Sequence, residues 1–281
     1  NNLKQAMLPV GGTVFENNHG TAPGAALEKN GKCVIILPGP PGELVPMFNE
    51  SVRGFLKKYS DGAIVSHTVN IIGMGESSVA EEIEDMFDAK NPTVAPYAKS
   101  GEVRLRITAK AETADEADKM CAPVVDEICS RLGDVVYGTD MNSIEERVVA
   151  LLKEKGKKIA TAESCTAGYI PKRLTDIPGA SEVFECGIVS YSNDIKTKLL
   201  GVSPKTLETY GAVSEQTARE MALGAKRVSG ADIAISTTGL AGPGGDGVLP
   251  GGLSFAAVTD GERTVVEKIV TGHENDREYN R

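Results

Sequence analysis

Two candidate nucleophiles stand next to each other in the run "IATAESCTAGYI", residues 159 to 170. They are Ser164 and Cys165, and they follow a stretch typical of a buried strand and precede one that could begin a helix. At such a junction, free backbone N–H groups and the positive end of the helix dipole would stabilise a developing oxyanion. The alternative is that Ser164 only caps the helix.

The candidate base follows from the scarcity of histidine. The chain has three His, and only His273 lies beyond residue 142, so a Ser-His-Asp triad is not expected. A Ser-Lys arrangement remains, in which desolvation or nearby positive charge keeps the lysine neutral. The run "GIVSYSNDIKTKLLG" offers Tyr191 and Lys196, with Lys198 as a rival. The alternative for either lysine is a solvated side chain on a helix.

Cys165 competes with Ser164 because a thiolate at the same helix start would also be stabilised. No nearby histidine could activate it, and a small buried cysteine commonly serves only as packing. Ser164 is therefore the favoured nucleophile.

A glycine-rich loop, "AGPGGDG" at residues 241–247, follows a predicted strand. Gly242, Gly244 and Gly245 would let backbone N–H groups approach an anion closely. The loop matches neither a Walker motif nor a G-x-G-x-x-G before a helix, and a simple turn before a hairpin is the alternative.

The elements that would position these residues alternate between helix and strand from residue 142 onward. The first helix carries a capping box, Ser143-x-x-Glu146, and Gly156 as its C-cap. Strands are predicted in "KKIATA", "EVFECGIVSY" and "DIAISTTG", helices in "NDIKTKLLG" and "SEQTAREMALGAKRV", and a final hairpin turns at Asp260-Gly261. This order predicts a three-layer α/β/α domain over residues 142–281.

Two further units are predicted upstream. Residues 1–60 are rich in Gly and Pro, with a strand at 33–37, the loop "PGPPGE" at 38–43, and a helix with Pro46 in its first turn. Residues 61–141 have a β-α-β-β-α order, typical of a small α+β module, and Ser78-x-x-Glu81 is interpreted as a capping box. The fold class is thus multidomain α/β.

Composition limits the partners. A net charge of −9 disfavours nonspecific nucleic-acid binding, so small molecules are expected instead. No apolar run reaches the ~20 residues that span a bilayer, and five cysteines without C-x-x-C spacing are typical of the cytoplasm. The start without Met and the charged end indicate a fragment of a longer chain.

The motifs together resemble a known family. "AESCTAG", "GIVSYSNDIK", "LGV", "GAVSEQTAREMA" and "TGLAGPGG" are similar, in order and spacing, to the nicotinamide mononucleotide deamidase domain of the CinA (competence/damage-inducible protein A) family. "NNHGTAPG" and "PGPPGE" resemble later motifs of that family's molybdopterin-binding-like domain, and residues 61–141 resemble its KH-type module.

The resemblance implies hydrolysis of the carboxamide of nicotinamide mononucleotide (NMN), giving nicotinate mononucleotide and ammonia in pyridine nucleotide salvage. It implies Ser164 as nucleophile, Lys196 as base and Tyr191 as supporting hydroxyl, with no cofactor or metal. The predicted oxyanion and substrate-binding residues are Cys165, Thr166, Ala167, Gly168, Gly239, Gly242, Gly244 and Gly245. A homodimer is expected from the resemblance alone.

Other functions stay open at this point. Some members are attributed a divalent-metal-dependent ADP-ribose pyrophosphatase activity, but the acidic and Gly-rich motifs that would hold the metal are not in this sequence. A non-catalytic nucleotide-binding protein is the third alternative. The "GMGE" run at 73–76 lacks the basic setting of an RNA-clamping loop. Two departures from the family pattern are Ala167, where Gly is frequent, and Pro171, which would kink a helix interior.

Overall fold

The structure is a computed structural model that describes residues 7–59, 61–99 and 101–281. The described residues form two compact units. One holds the residues up to His67 with Ala80–Pro96 and Leu105–Arg131, and the other holds Thr68–Val79, Tyr97–Arg104 and Leu132–Arg281. The three-part division at residues 60/61 and 141/142 stays a prediction. No described helix is both long and apolar enough to cross a membrane.

Residues 7–59 contain an antiparallel sheet and a broken helix. The strands are β1 (Thr13–Phe15), β2 (Gly24–Lys29) and β3 (Lys32–Ile36), in the order β1-β2-β3. Helix α1 (Pro41–Met47) continues through a π-helical turn (Phe48–Val52), α2 (Arg53–Leu56) and a 3₁₀ turn (Lys57–Tyr59). The predicted strand at 33–37 is confirmed as β3.

The predicted position of Pro46 is wrong. The helix begins at Pro41, whose fixed φ suits the first helical turn, so Pro46 lies in the interior of α1. Pro46 has no N–H to donate to the preceding turn, and the π-helical turn begins two residues later, at Phe48. The run at 38–43 was predicted to be a loop throughout, whereas α1 begins at Pro41, in the second half of that run.

Residues 63–139 form the elements of the predicted α+β module. They are β4 (Ala63–Ile72), α3 (Glu76–Glu82), a 3₁₀ turn (Glu84–Met86), β5 (Thr93–Lys99), β6 (Glu102–Ala111), α4 (Ala114–Leu132), a 3₁₀ turn (Gly133–Val135) and β7 (Val136–Thr139). The sheet order is β5-β6-β4-β7. The predicted β-α-β-β-α order is confirmed, and β7 was missed.

The predicted capping box at Ser78 is wrong. Helix α3 begins at Glu76, so Ser78 is its third residue, and the Val79 N–H donates to Gly75 O at 3.0 Å. Val79 within α3 and Ile83 directly after it are both fully buried.

The C-terminal part alternates as predicted. Its elements are α5 (Ile144–Glu154), β8 (Ile159–Glu163), α6 (Tyr169–Thr175), a 3₁₀ turn (Ala180–Glu182), β9 (Phe184–Val189), α7 (Asn193–Leu200), α8 (Pro204–Tyr210), α9 (Glu215–Ser229), β10 (Ile233–Gly239), β11 (Leu253–Thr259), β12 (Thr264–Val270) and α10 (Arg277–Asn280). The short helices α8 and α10 were missed. Ser143 caps α5 as predicted, with its hydroxyl accepting from Glu146 N–H at 3.2 Å.

This part of the chain has a five-stranded sheet in the order β12-β11-β10-β8-β9. Strand β8 is parallel to both β9 and β10, and β11 and β12 form the predicted antiparallel hairpin. Ile159 packs with Leu152 of α5 on one face, and Ala162 packs with Leu200 and Met221 of α7 and α9 on the other. Because side chains alternate along a strand, β8 is covered by helices on both faces, which confirms the α/β/α layers.

Candidate active site

Ser164 lies directly beyond the carboxyl end of the central strand β8. Its N–H donates to Thr237 O of β10 at 2.9 Å, which fixes the residue between two parallel strands. The carboxyl ends of β9, β8 and β10 meet at this edge, where α/β sheets commonly place ligand sites. The side chain is 8% exposed. Sequence alone left open whether Ser164 caps a helix, and the structure answers that Gly168, not Ser164, is the N-cap residue of α6.

Lys196 meets Ser164 from helix α7. Its Nζ lies 3.1 Å from Ser164 Oγ, 2.8 Å from Ser190 O and 3.1 Å from Tyr191 O. The side chain is 1% exposed, and burial lowers its pKa from the usual 10.5. The rival Lys198 is exposed on the same helix. Of the two lysines, the structure brings Lys196 to the serine.

The three contacts of Lys196 suit a base. A neutral amine has two N–H donors and one lone pair, which match the two carbonyl oxygens and the Ser164 hydroxyl. A protonated amine has three donors, and the same three oxygens can accept them. The lysine can therefore take the hydroxyl proton and later release it without losing its backbone contacts.

Tyr191 contributes to the site through its side chain and through its backbone. Its side chain is 63% exposed and lines the cavity described below, while its backbone carbonyl accepts the hydrogen bond from Lys196. No hydrogen bond from the Tyr191 hydroxyl is present among the described residues. A role for the phenol as supporting hydroxyl stays a prediction.

Cys165 lies beside the serine but in surroundings that oppose a thiolate. The residue is 7% exposed, and burial raises the pKa of its thiol, with the nearby charge of Glu163 acting in the same direction. A protonated thiol is a weak nucleophile. The geometry and the pKa both favour Ser164.

The turn after Ser164 limits which N–H groups can bind an oxyanion. Ala167 N–H donates to Ser164 O at 3.2 Å, and Gly168 N–H donates to Glu163 Oε2 at 3.1 Å. Of the four donors predicted in the turn, those of Cys165 and Thr166 remain, with the weak acceptor Cys165 Sγ beside them. The Thr166 hydroxyl pairs with that of Thr237 at 2.6 Å.

The two departures from the family pattern have structural explanations. Ala167 has φ +49°, in the left-handed region that favours glycine, and Gly168 follows with φ +92°. Pro171 is the third residue of α6, where a helical N–H has no intrahelical acceptor, so it does not break the helix. Gly187 of β9 leaves room for its ring, because a Cβ there would lie 2.9 Å from Pro171 Cγ.

A cavity of about 320 Å³ opens in front of Ser164 and Lys196. Its lining includes eight of the residues predicted from the sequence: Ser164, Cys165, Tyr191, Lys196, Gly239, Gly242, Gly244 and Gly245. Three other predicted residues, Thr166, Ala167 and Gly168, do not line it. Ala212, Val213 and Leu240 supply an apolar part of the wall.

The glycine loop is at the predicted place, but its geometry serves the turn as well as the cavity. Gly244 N–H donates to Glu274 O at 3.0 Å and so is already used. Gly242 and Gly244 have φ of +92° and +70°, and a Cβ on Gly245 would lie 1.9 Å from Leu249 O. The glycines are therefore required by the fold of the loop, whether or not an anion binds there.

Arg277 is a lining residue that sequence reasoning missed. It is the first residue of α10, and its Nη1 donates to Gly242 O at 2.6 Å. Among the described residues that line the cavity there is no Asp or Glu, so the guanidinium makes this wall favourable for an anion. No helix was predicted at this end of the sequence, although Asp276, whose carboxylate accepts from Tyr279 N–H at 3.0 Å, is a typical N-cap.

Glu163 was also missed. It is the last residue of β8, fully buried, and its carboxylate accepts from two N–H groups of the turn that follows. Within the described part of the chain, no group of three or more His, Cys, Asp or Glu is placed to hold a metal ion.

Comparison with known proteins gives two family matches. The family described as "CinA C-terminal domain" matches residues 141–281, and the family described as "Damage-inducible protein CinA KH domain" matches residues 66–138. Together they cover the candidate active site and the α+β module before it.

Individual relatives agree. A Clostridium beijerinckii protein named as competence-damage inducible is 54% identical over 278 residues, covering 98% of this chain and 68% of the relative. A "CinA-like protein" of Kosmotoga olearia is 45% identical over 282 residues, covering all of this chain and 68% of its own. The crystal structure of competence/damage inducible protein CihA from Agrobacterium tumefaciens is 40% identical over 49% of this chain and 84% of that chain, with a TM-score of 0.47.

The chain thus spans about two thirds of the length of these two relatives. The C-terminal match contains every residue of the cavity that holds Ser164 and Lys196. On the two family matches and the identity to full relatives, the chain belongs to the CinA family.

Proposed function

We propose that this chain hydrolyses the carboxamide of nicotinamide mononucleotide to nicotinate mononucleotide and ammonia. The observation that carries the proposal is the pairing of Ser164 Oγ with the buried Nζ of Lys196 at 3.1 Å. Burial lowers the pKa of that lysine, so a larger share of it is neutral and able to accept the serine proton.

The proposed reaction has two stages. Ser164 Oγ attacks the amide carbon while its proton passes to Lys196 Nζ, and the N–H group of Cys165, which lines the cavity, stabilises the tetrahedral oxyanion. The intermediate collapses as Lys196 returns the proton to the nitrogen, and ammonia leaves. Water then attacks the acyl-serine, again giving its proton to Lys196, and the carboxylate product is released as the serine is reprotonated.

The lining of the cavity supports a nucleotide-linked amide as substrate. Ala212, Val213 and Leu240 offer an apolar surface for an aromatic ring, and Arg277 offers a guanidinium for a phosphate. The resemblance of the motifs around Ser164 and Lys196 to the family's deamidase domain supports NMN among such amides.

Ammonia release from NMN, measured in the presence of a metal chelator, tests the proposal. We expect turnover by the unmodified chain and none above background in Ser164→Ala, with nicotinate mononucleotide formed in equal amount to ammonia. Absence of ammonia from a folded, unmodified chain would refute it. So would release that stops when the chelator is added.

A further inference from the structure

Glu163 is the one fully buried carboxylate among the described residues, and it stands next to the nucleophile in the chain. Its Oε2 accepts from Gly168 N–H at 3.1 Å and from Ile170 N–H at 3.3 Å. Its Oε1 is buried without a hydrogen-bond partner among the described residues. Burying a carboxylate costs free energy, so Glu163 is not an ordinary solvated surface residue.

The two N–H groups that Glu163 accepts belong to a strained part of the chain. The turn from Ser164 to Gly168 contains two consecutive left-handed residues, and one of them, Ala167, has a Cβ. Gly168 is the N-cap residue of α6 and has no side chain to cap the helix itself. Without the carboxylate, both N–H groups would be left unpaired in a partly buried position.

The backbone of Glu163 is held as firmly as its side chain. Its carbonyl accepts from Ser190 N–H at 2.8 Å, and the next residue, Ser164, donates its N–H to Thr237 at 2.9 Å. The strand end is thus fixed on both sides by β9 and β10, and the carboxylate ties the far end of the turn back to this fixed point.

We propose that Glu163 is a positioning residue: by accepting the Gly168 and Ile170 N–H groups, its carboxylate holds the Ser164–Gly168 turn in the conformation that presents Ser164 to Lys196. The same bonds keep Gly168 N–H occupied and leave that of Cys165, which lines the cavity, for an oxyanion. The catalytic part of this inference rests on the proposed function, whereas its structural part does not.

A second consequence concerns the choice between the two neighbouring nucleophiles. The negative charge of Glu163 acts with burial to keep the Cys165 thiol protonated. Burial is the main cause of the raised pKa of this thiol, and the charge of Glu163 adds to it.

Three substitutions separate positioning from general stability. Glu163→Gln keeps a carbonyl oxygen for both N–H groups, Glu163→Asp is one methylene too short to reach them, and Glu163→Ala removes the acceptor. Glu145→Gln is the control, because Glu145 is also a buried glutamate of this domain and pairs with Arg173 rather than with the turn.

Kinetics of ammonia release give the first readout. We expect kcat to fall about 100-fold in Glu163→Ala and Glu163→Asp with KM changed by less than about threefold, since a misplaced nucleophile or donor costs that much. Glu163→Gln should recover kcat to within about tenfold of the unmodified chain, and Glu145→Gln should leave kcat unchanged. A kcat in Glu163→Asp within about threefold of the unmodified value would overturn the inference, as would a Gln variant as slow as the Ala variant.

Amide hydrogen exchange gives a readout that does not depend on the substrate. Exchange of the peptide covering residues 164–170 should rise at least about tenfold in Glu163→Ala or Glu163→Asp and stay near the original rate in Glu163→Gln, because only Gln still accepts the two N–H groups. Unchanged exchange in the Ala and Asp variants would overturn the inference even if NMN is not the substrate. Should Glu163→Ala fail to fold, the Asp and Gln pair carries the same comparison.

Discussion

Replacing Lys196 with Met removes the amine but keeps an unbranched side chain in a site that is 1% exposed. Met cannot accept the Ser164 proton, so the general-base contribution of about 10²- to 10⁴-fold in kcat should be lost, or about 3–5 kcal/mol in the barrier. Substrate should still bind, because Arg277 and the apolar wall are untouched. KM should therefore change far less than kcat.

The same substitution should also change how the free energy of unfolding depends on pH. Burial lowers the pKa of Lys196, so above the folded pKa and below 10.5 the unfolded chain binds more protons than the folded one. The free energy of unfolding of the unmodified chain should then rise with pH across that window, and the contribution is lost as pH falls through the folded pKa. Lys196→Met lacks this rise, although its two unpaired carbonyls, on Ser190 and Tyr191, each cost about 1–3 kcal/mol at all pH values.

Lys198→Met is the matched control, since Lys198 lies on the same helix and is exposed. It should leave kcat unchanged and alter the free energy of unfolding by no more than about 0.5 kcal/mol. Ammonia release and urea unfolding, the latter at about pH 7 and about pH 10, measure both effects. The reasoning would be refuted if Lys196→Met kept more than about a tenth of kcat, or if its stability difference from the unmodified chain were the same at both pH values.

Three further outcomes are expected. Arg277→Ala should raise KM for NMN about 10- to 100-fold. Turnover of nicotinamide riboside, which has no phosphate, should be nearly unchanged. Equal losses for both compounds would exclude phosphate binding by Arg277. The kcat of the unmodified chain should rise with pH through the folded pKa of Lys196, with a midpoint below 10.5. A midpoint at or above 10.5 would contradict the lowering of this pKa by burial. Gly224→Ala should lower the free energy of unfolding by at least about 2 kcal/mol, because its Cβ would lie 2.1 Å from Leu200 O. This loss is expected despite the ~1 kcal/mol by which Ala is favoured over Gly in a helix. Thermal unfolding that shows a more stable protein would contradict it.

Much of the C-terminal architecture was predictable because the local signals agree with one another. The Ser143 cap, the apolar periods of α5 and α9 and the Asp260-Gly261 turn each specify an element without tertiary information. Local signals gave wrong predictions where a residue type is common both at a helix start and inside a helix. Ser78 stands inside a helix rather than before it, and the position of Pro46 depends on Pro41 starting the helix.

The pairing of Ser164 and Lys196 was predictable in part. Elimination of histidine, with Ser164 after one strand and Lys196 in the helix after the next, pointed to a serine with a lysine. The choice between Lys196 and Lys198 needed the orientation of α7. Glu163 and Arg277 could not be identified as site residues from spacing. Glu163 acts through hydrogen bonds to the turn that follows it. Arg277 reaches the cavity from α10, which comes after the last strand of the sheet. The homodimer and the cytoplasmic location stay predictions.

The most direct test of the account is ammonia release from NMN by Ser164→Ala compared with Cys165→Ala under saturating substrate. If Ser164 is the nucleophile and Cys165 a protonated neighbour, Ser164→Ala should lose at least about 10³-fold in kcat, while Cys165→Ala should stay within about tenfold of the unmodified chain. Full activity in Ser164→Ala together with loss in Cys165→Ala would contradict the account at its centre.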